Sequence, residues 1–347
     1  MPIPLRRSAA AALALLAAVV LPAAPASAAG ETYVALGDSY SSGTGTRSYL
    51  ADGTACKRSV HAYPSLIASA RGYALNFRAC SGATIPDVVG AQLSALTPTT
   101  SYVSLSVGGN DAALVSVLTE CAKPAWMSNC NAAVDRAQAV ITQRLPASLA
   151  SLYGQVRARA PQASVTVAGY PRVFNGEDCN AATWFSPAEE ARLNATADLL
   201  NRTTAAAAAN AGFAFRNPTS AFSGHAVCDD VEWLNGLSNP IAESYHPNRA
   251  GHASGYVPLM GSALTGSRVD VTGATLLTAE ASAPALAEQQ RAYAPQDARI
   301  TPKTFVLPDL KSPSARAAAA RAGVDLTDRG SIDRADRAAD ALQNSGR

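Results

Sequence analysis

The chain has 347 residues, 48% of them hydrophobic and only 16% charged, with 28 basic residues against 26 acidic ones. A formal charge of +2 supplies no basic field, which argues against nucleic acid or an anionic membrane surface as a partner.

In chain order, the first feature is a secretory leader over residues 1–28. Arg6 and Arg7 form its positive end, an apolar run follows from Ala9 to about Val20, and Ala26-Ser27-Ala28 supplies the small residues before a cleavage site. The apolar run is shorter than the roughly 20 residues a membrane span needs, so the expectation is a secreted, extracellular protein without stable membrane insertion. Cleavage after Ala28 removes two of the 28 basic residues, leaving 26 against 26 acidic ones. Six cysteines then sit in an oxidising compartment: Cys56, Cys80, Cys121, Cys130, Cys179 and Cys228. None has the C-x-x-C spacing of a thiolate zinc site, so disulfides are expected and no metal. Six cysteines allow 15 pairings, and spacing alone selects none of them.

Short β-branched or apolar runs at 32–36, 74–77, 102–107, 164–168 and 213–215 read as strands. Helix-like stretches separate them, at 62–70, 85–96, 131–159 and 187–211, and a last helix is expected near Pro247. Strands joined through helices imply crossover connections and a mostly parallel sheet covered on both faces, in one domain over residues 29–269. Residues 270–347 change character, with ten acidic and ten basic residues, two aromatics, and no cysteine or histidine. They read as an extension, partly helical at 314–322 and 332–342 and partly disordered, that carries no chemistry.

Four short blocks carry the chemistry. The first strand runs into Gly37-Asp38-Ser39, which puts a hydroxyl at the carboxyl edge of a parallel sheet, where ligands bind. No G-x-S-x-G elbow occurs in the chain, which disfavours an ordinary α/β-hydrolase. Gly82 follows the second strand, where a glycine lets backbone approach a ligand. Gly108-Gly109-Asn110-Asp111 follows the third, where an asparagine amide can be aimed at an oxyanion. His246 lies in Glu243-Ser244-Tyr245-His246-Pro247, with an acidic residue three before it; His61, His225 and His252 have no such setting.

In order and type, these blocks resemble those of the SGNH (GDSL) hydrolases, and most of all the disulfide-bonded extracellular lipases and esterases of streptomycetes, over roughly residues 31–269. The resemblance implies a flavodoxin-like, three-layer α/β/α sandwich acting as a secreted, monomeric, cofactor-free serine hydrolase on an ester or lipid substrate, a lipase or esterase, or a phospholipase. It assigns Ser39 as nucleophile and His246 as base, with the oxyanion hole formed by the N–H groups of Ser39 and Gly82 and the Asn110 side chain. It also implies the bridges Cys56–Cys80, Cys121–Cys130 and Cys179–Cys228. The family's histidine block is D-x-x-H, whereas this chain has Glu243, so the third member of the triad is either Glu243 or the backbone carbonyl of Ser244 or a neighbour. The alternative from another class is an inactive, secreted binding protein on the same fold, against which the intact Ser39, Gly82, Asn110 and His246 argue.

Overall fold

The structure, a computed structural model, describes residues 1–3 and 30–345; the expected leader and its cleavage position after Ala28 otherwise lie outside the described residues. In chain order the elements begin with β1 (Thr32–Gly37), α1 (Ser39–Ser42), α2 (Tyr63–Arg71), β2 (Ala74–Phe77), α3 (Ile85–Asp87) and β3 (Tyr102–Ser106). Then come α4 (Leu114–Cys121), α5 (Cys130–Gln143), α6 (Leu145–Arg159), β4 (Ser164–Ala168), α7 (Pro187–Asn210), β5 (Ala214–Arg216) and α8 (Val257–Thr265). The extension adds α9 (Gly273–Arg291), α10 (Ala294–Asp297), α11 (Pro313–Ala322) and α12 (Arg329–Asn344).

The five strands form one parallel sheet in the order β2-β1-β3-β4-β5. Period-two alternation sorts their side chains onto two faces. Tyr33 and Ala35 of β1 join a core with Leu66 and Met260, while Val34 and Leu36 join a second core with Val103, Leu105, Leu149 and Leu200. Helices cover both faces, which gives the three layers expected of the fold. From β1 the chain leaves to one side, to β2, and returns to the other, to β3. The gap between β1 and β3 is therefore the switch point at which parallel sheets bind ligands.

Two helical expectations differ in detail. The stretch 131–159 is two helices, because the helix ending at Gln143 restarts at Leu145, where Pro146 in the first turn has no N–H to continue the earlier ladder. The stretch 85–96 is a short α-turn, a π-turn over Val88–Gln92 and a 3-10 turn. The π-turn aims the buried Gln92 amide at β1, where its oxygen accepts from the Gly37 N–H at 2.7 Å and its NH2 donates to the Gly37 carbonyl at 2.9 Å.

The extension has the two helices expected of it, as α11 and α12, but is packed where partial disorder was expected. Residues 270–345 are largely helical and packed, and they contribute Ala279, Leu286 and Phe305 to one core and Ile300 to the other. The physical reason is a pair of buried cations on the body. Arg58 and Arg78 are both fully buried, and Asp297 of α10 accepts from Arg58 Nη2 at 2.6 Å and Arg78 Nη2 at 2.7 Å. Asp52 pairs with Arg58 at 2.8 Å, and Gln290 of α9 accepts from Arg78 Nη1 at 2.8 Å. Without α9 and α10, Arg78 would keep the Ala91 carbonyl alone among these partners. A buried ion left unpaired in this way costs about 3–5 kcal/mol.

Candidate active site

Ser39 is the first residue of α1, and the turn that presents it is fixed by Asp38 as N-cap. Asp38 Oδ1 accepts from the Tyr40 N–H at 3.0 Å and from Ser106 Oγ at 2.7 Å, and Oδ2 accepts from the Tyr170 hydroxyl at 2.5 Å. Burial pushes the Asp38 carboxyl up to about 6, and these three hydrogen bonds limit the rise. Tyr170 in turn accepts from the Gly109 N–H at 3.3 Å, so one carboxylate ties the loop after β1 to the loop after β3. Asp38 and Tyr170 are positioning residues that the sequence did not single out. Asp38 was visible within the first block as a cap residue, whereas nothing local marks Tyr170.

His246 reaches Ser39 from the far end of the chain. Its Nε2 lies 2.8 Å from Ser39 Oγ, and its Nδ1 lies 2.9 Å from the Ser244 carbonyl oxygen. A carbonyl can only accept, so the proton sits on Nδ1 and Nε2 presents a lone pair to the serine hydroxyl. Asn235 holds the block from both sides. Its N–H donates to the His246 carbonyl, its carbonyl accepts from the Tyr245 N–H, and its amide donates to the Gly45 carbonyl at 3.0 Å. Gly45 must be glycine, because its φ is +103° and a Cβ there would lie 2.5 Å from the Pro247 carbonyl oxygen and 3.1 Å from His246 Cβ. Burial lowers the His246 imidazole to about 4; the Ser244 hydrogen bond opposes that fall and the nearby Lys57 cation adds to it.

Glu243 does not contact His246. It closes the 3-10 turn Ile241–Glu243, and Tyr245 then takes a left-handed φ of 62°, which turns the Ser244 carbonyl, not the Glu243 carboxylate, toward the imidazole. The carboxylate points away, accepting from the Tyr49 hydroxyl at 2.6 Å, with Arg47 Nε 3.7 Å from its other oxygen. Of the two alternatives for the third member, the Ser244 carbonyl lies within hydrogen-bond distance of Nδ1, whereas the Glu243 carboxylate is engaged by Tyr49.

Asn110 borders the same crevice as Ser39 and His246, and its Nδ2 donates to the Ala83 carbonyl at 3.1 Å, which joins the third block to the glycine block. Asp111 sits beside it but serves the backbone, accepting from the Ile85 N–H at the start of α3. Gly82 has a φ of +88°, and neither its N–H nor that of Ser39 has an acceptor among the described residues. The cysteines pair as Cys56–Cys80, Cys121–Cys130 and Cys179–Cys228. The first bridge adjoins the site, since the Cys80 N–H donates to the Gly37 carbonyl.

The crevice runs from Ser39 and His246 between Leu114 and Leu118 of α4, Phe174, and Leu193 of α7, and is narrow and open to solvent at its mouth. Such a wall suits an apolar chain attached to a polar reacting centre. Of the expected bystanders, His252 is buried and accepts from the Tyr63 N–H, and His225 stacks on Trp233. Among the described residues, the one cluster close enough to hold a metal is Cys179, Cys228 and Glu232, and both its sulfurs are in the bridge.

Residues 35–254 match the model of the GDSL-like lipase/acylhydrolase family. A lipase of Streptomyces rimosus is 43% identical over 254 residues, 73% of this chain and 93% of the relative. The crystal structure of the extracellular lipase from Streptomyces rimosus superposes with a TM-score of 0.63 at 41% identity, over 67% of this chain and 100% of that one. Phospholipase A1 from Streptomyces albidoflavus superposes with a TM-score of 0.64 at 43% identity, over 67% of this chain and 99% of that one.

Proposed function

The chain belongs to the GDSL-like lipase/acylhydrolase family and is a carboxylic ester hydrolase, and from that premise we propose that Ser39 is its nucleophile and His246 its general base, oriented by the Ser244 carbonyl. The observation that carries the reading is the 2.8 Å contact between Ser39 Oγ and the unprotonated Nε2.

The chemistry follows from that contact. Nε2 takes the Ser39 hydroxyl proton as Oγ attacks the ester carbonyl carbon, and the carbonyl oxygen becomes a tetrahedral oxyanion. Donors for it are the Ser39 N–H, unpaired as the first of a helix, the Gly82 N–H and the second Asn110 amide hydrogen. Collapse breaks the bond to the alcohol, which leaves with the proton from Nε2 and an acyl group on Oγ. A water then gives its proton to Nε2, attacks the acyl carbon and releases the acid, which restores the Ser39 hydroxyl. The imidazolium formed midway has a carbonyl dipole for partner instead of a carboxylate.

The apolar crevice favours a lipid or other long-chain ester, with a lipase leading and a phospholipase as the nearest variant, since one similar structure is a phospholipase A1. Secretion is supported by the leader pattern, by three disulfides and by a similar lipase named as extracellular. No described helix is long and apolar enough to cross a membrane. We assign the catalytic unit to residues 29–269. A monomer suffices for the chemistry, because one chain supplies the nucleophile, the base and all three donors.

An alkyl phosphonate should label Ser39 and stop hydrolysis of p-nitrophenyl esters, and Ser39→Ala should lose about 10⁴-fold or more in kcat while staying folded. A label found on another serine would reject the assignment.

A further inference from the structure

The extension reaches the crevice. Between α10 and α11, residues 301–309 have no regular secondary structure, and this strap is held at both ends. Upstream, Asp297 locks onto Arg58 and Arg78, and Ile300 is buried in the core. Downstream, the Val306 N–H donates to Thr119 Oγ1 of α4, and α12 binds the body through Asp336 to the Ala125 N–H at 2.7 Å and Asp340 to the Ser186 hydroxyl at 2.7 Å.

Between these anchors the strap crosses the reacting centre. A Cβ on Gly82 would lie 2.5 Å from the Thr301 carbonyl oxygen and 2.7 Å from Pro302 Cα, so the strap lies directly on the glycine block. Lys303, Thr304, Val306 and Leu307 are exposed. Phe305 alone turns inward, 3% exposed, with its ring edge-on to Tyr245 at 4.9 Å and lining the crevice that holds Ser39 and His246. All of this lies beyond residue 254, where the family match ends, and two thirds of this chain already span the whole of the Streptomyces rimosus structure.

We propose that the extension supplies the roof of the acyl-binding crevice and that Phe305 is a specificity-determining residue, its ring covering the acyl chain of an ester held at Ser39. The inference rests on the Ser39 reading above. An acyl chain of several carbons extends from the reacting carbonyl along the apolar wall, where an aromatic roof removes its methylenes from water. On this proposal an acetyl group, with one carbon beyond the carbonyl, gains least from that roof.

The test is kcat/KM on p-nitrophenyl esters from acetate to dodecanoate, with the melting temperature of each variant measured alongside. Phe305→Ala should lower the octanoate-to-acetate ratio about tenfold, the loss expected when roughly two methylenes lose their cover, chiefly through KM. Phe305→Trp, which keeps an aromatic anchor for the strap, should instead shorten the longest chain accepted by roughly two carbons, because overpacking excludes the chain end. Profiles parallel to wild type in both variants would overturn the roof, as would an octanoate ratio that rises in Phe305→Ala, which would make the ring a barrier. Acetate turnover that survives Ser39→Ala would sink the reading of the site instead.

Discussion

The reacting end of the sheet and the extension that closes over it are held in place by different forces. Around Ser39 and His246 the links are short and made by neutral donors: one backbone N–H and two hydroxyls into Asp38, an asparagine into the backbone of Tyr245 and His246, and the Nδ1–H of His246 into a carbonyl. The extension is held at α10 by a full charge out of water, Asp297 between two buried guanidiniums, while the half-buried Asp336 and Asp340 of α12 accept from a backbone N–H and a serine hydroxyl. Neutral, local links fix atoms to the tolerance that proton transfer needs, whereas a buried charge cluster fixes one body on another and mainly determines stability. The two regions should therefore fail separately.

The largest separation expected comes from Asn110→Ala, which removes one oxyanion donor and should cut kcat about 10²–10³-fold with little change in melting temperature. The opposite pattern is expected of Asp297→Asn. It leaves Arg78 without a carboxylate and should cost about 3 kcal/mol in urea unfolding while acetate turnover at 20 °C stays within about threefold. A variant that loses both properties together would show that the regions are one cooperative unit.

The smallest effect is expected at Glu243. Because its carboxylate binds Tyr49 and not His246, Glu243→Gln should change kcat less than about threefold; the loss of about 10⁴ seen when a buried triad acid becomes an amide should not occur. A steady-state comparison of the two proteins decides it.

How far the sequence revealed these regions follows from the range of the forces. The strands were legible because β1, β3 and β4 are short runs carrying Val or Thr and β2 and β5 are short apolar or aromatic runs between helix-like stretches, and the four blocks because each lies at a strand end or a helix start. The orientation at His246 was not legible, since it depends on the left-handed turn at Tyr245, a non-glycine residue that gives no local sign of that conformation. Nor were the anchors of the extension: Arg58 and Arg78 lie 239 and 219 residues from Asp297, and a balanced charge pattern looks the same on a solvated tail as on one that supplies a buried counter-ion. The inward turn of Phe305 follows from those anchors and was hidden with them.

On the function proposed for this chain, a buried imidazole, oriented by a carbonyl and not by a carboxylate, serves as the base. The most direct test is the pH profile of kcat/KM on a soluble short-chain ester. Burial lowers His246 to about 4, so the neutral, competent form persists down to that pH, and activity should fall about tenfold per unit only below it. An added shoulder near 6 that vanishes in Asp38→Asn belongs to the cap carboxyl. An acid limb at 6.5 or above, unchanged in Asp38→Asn, would show an imidazole stabilised as a cation and would contradict the account.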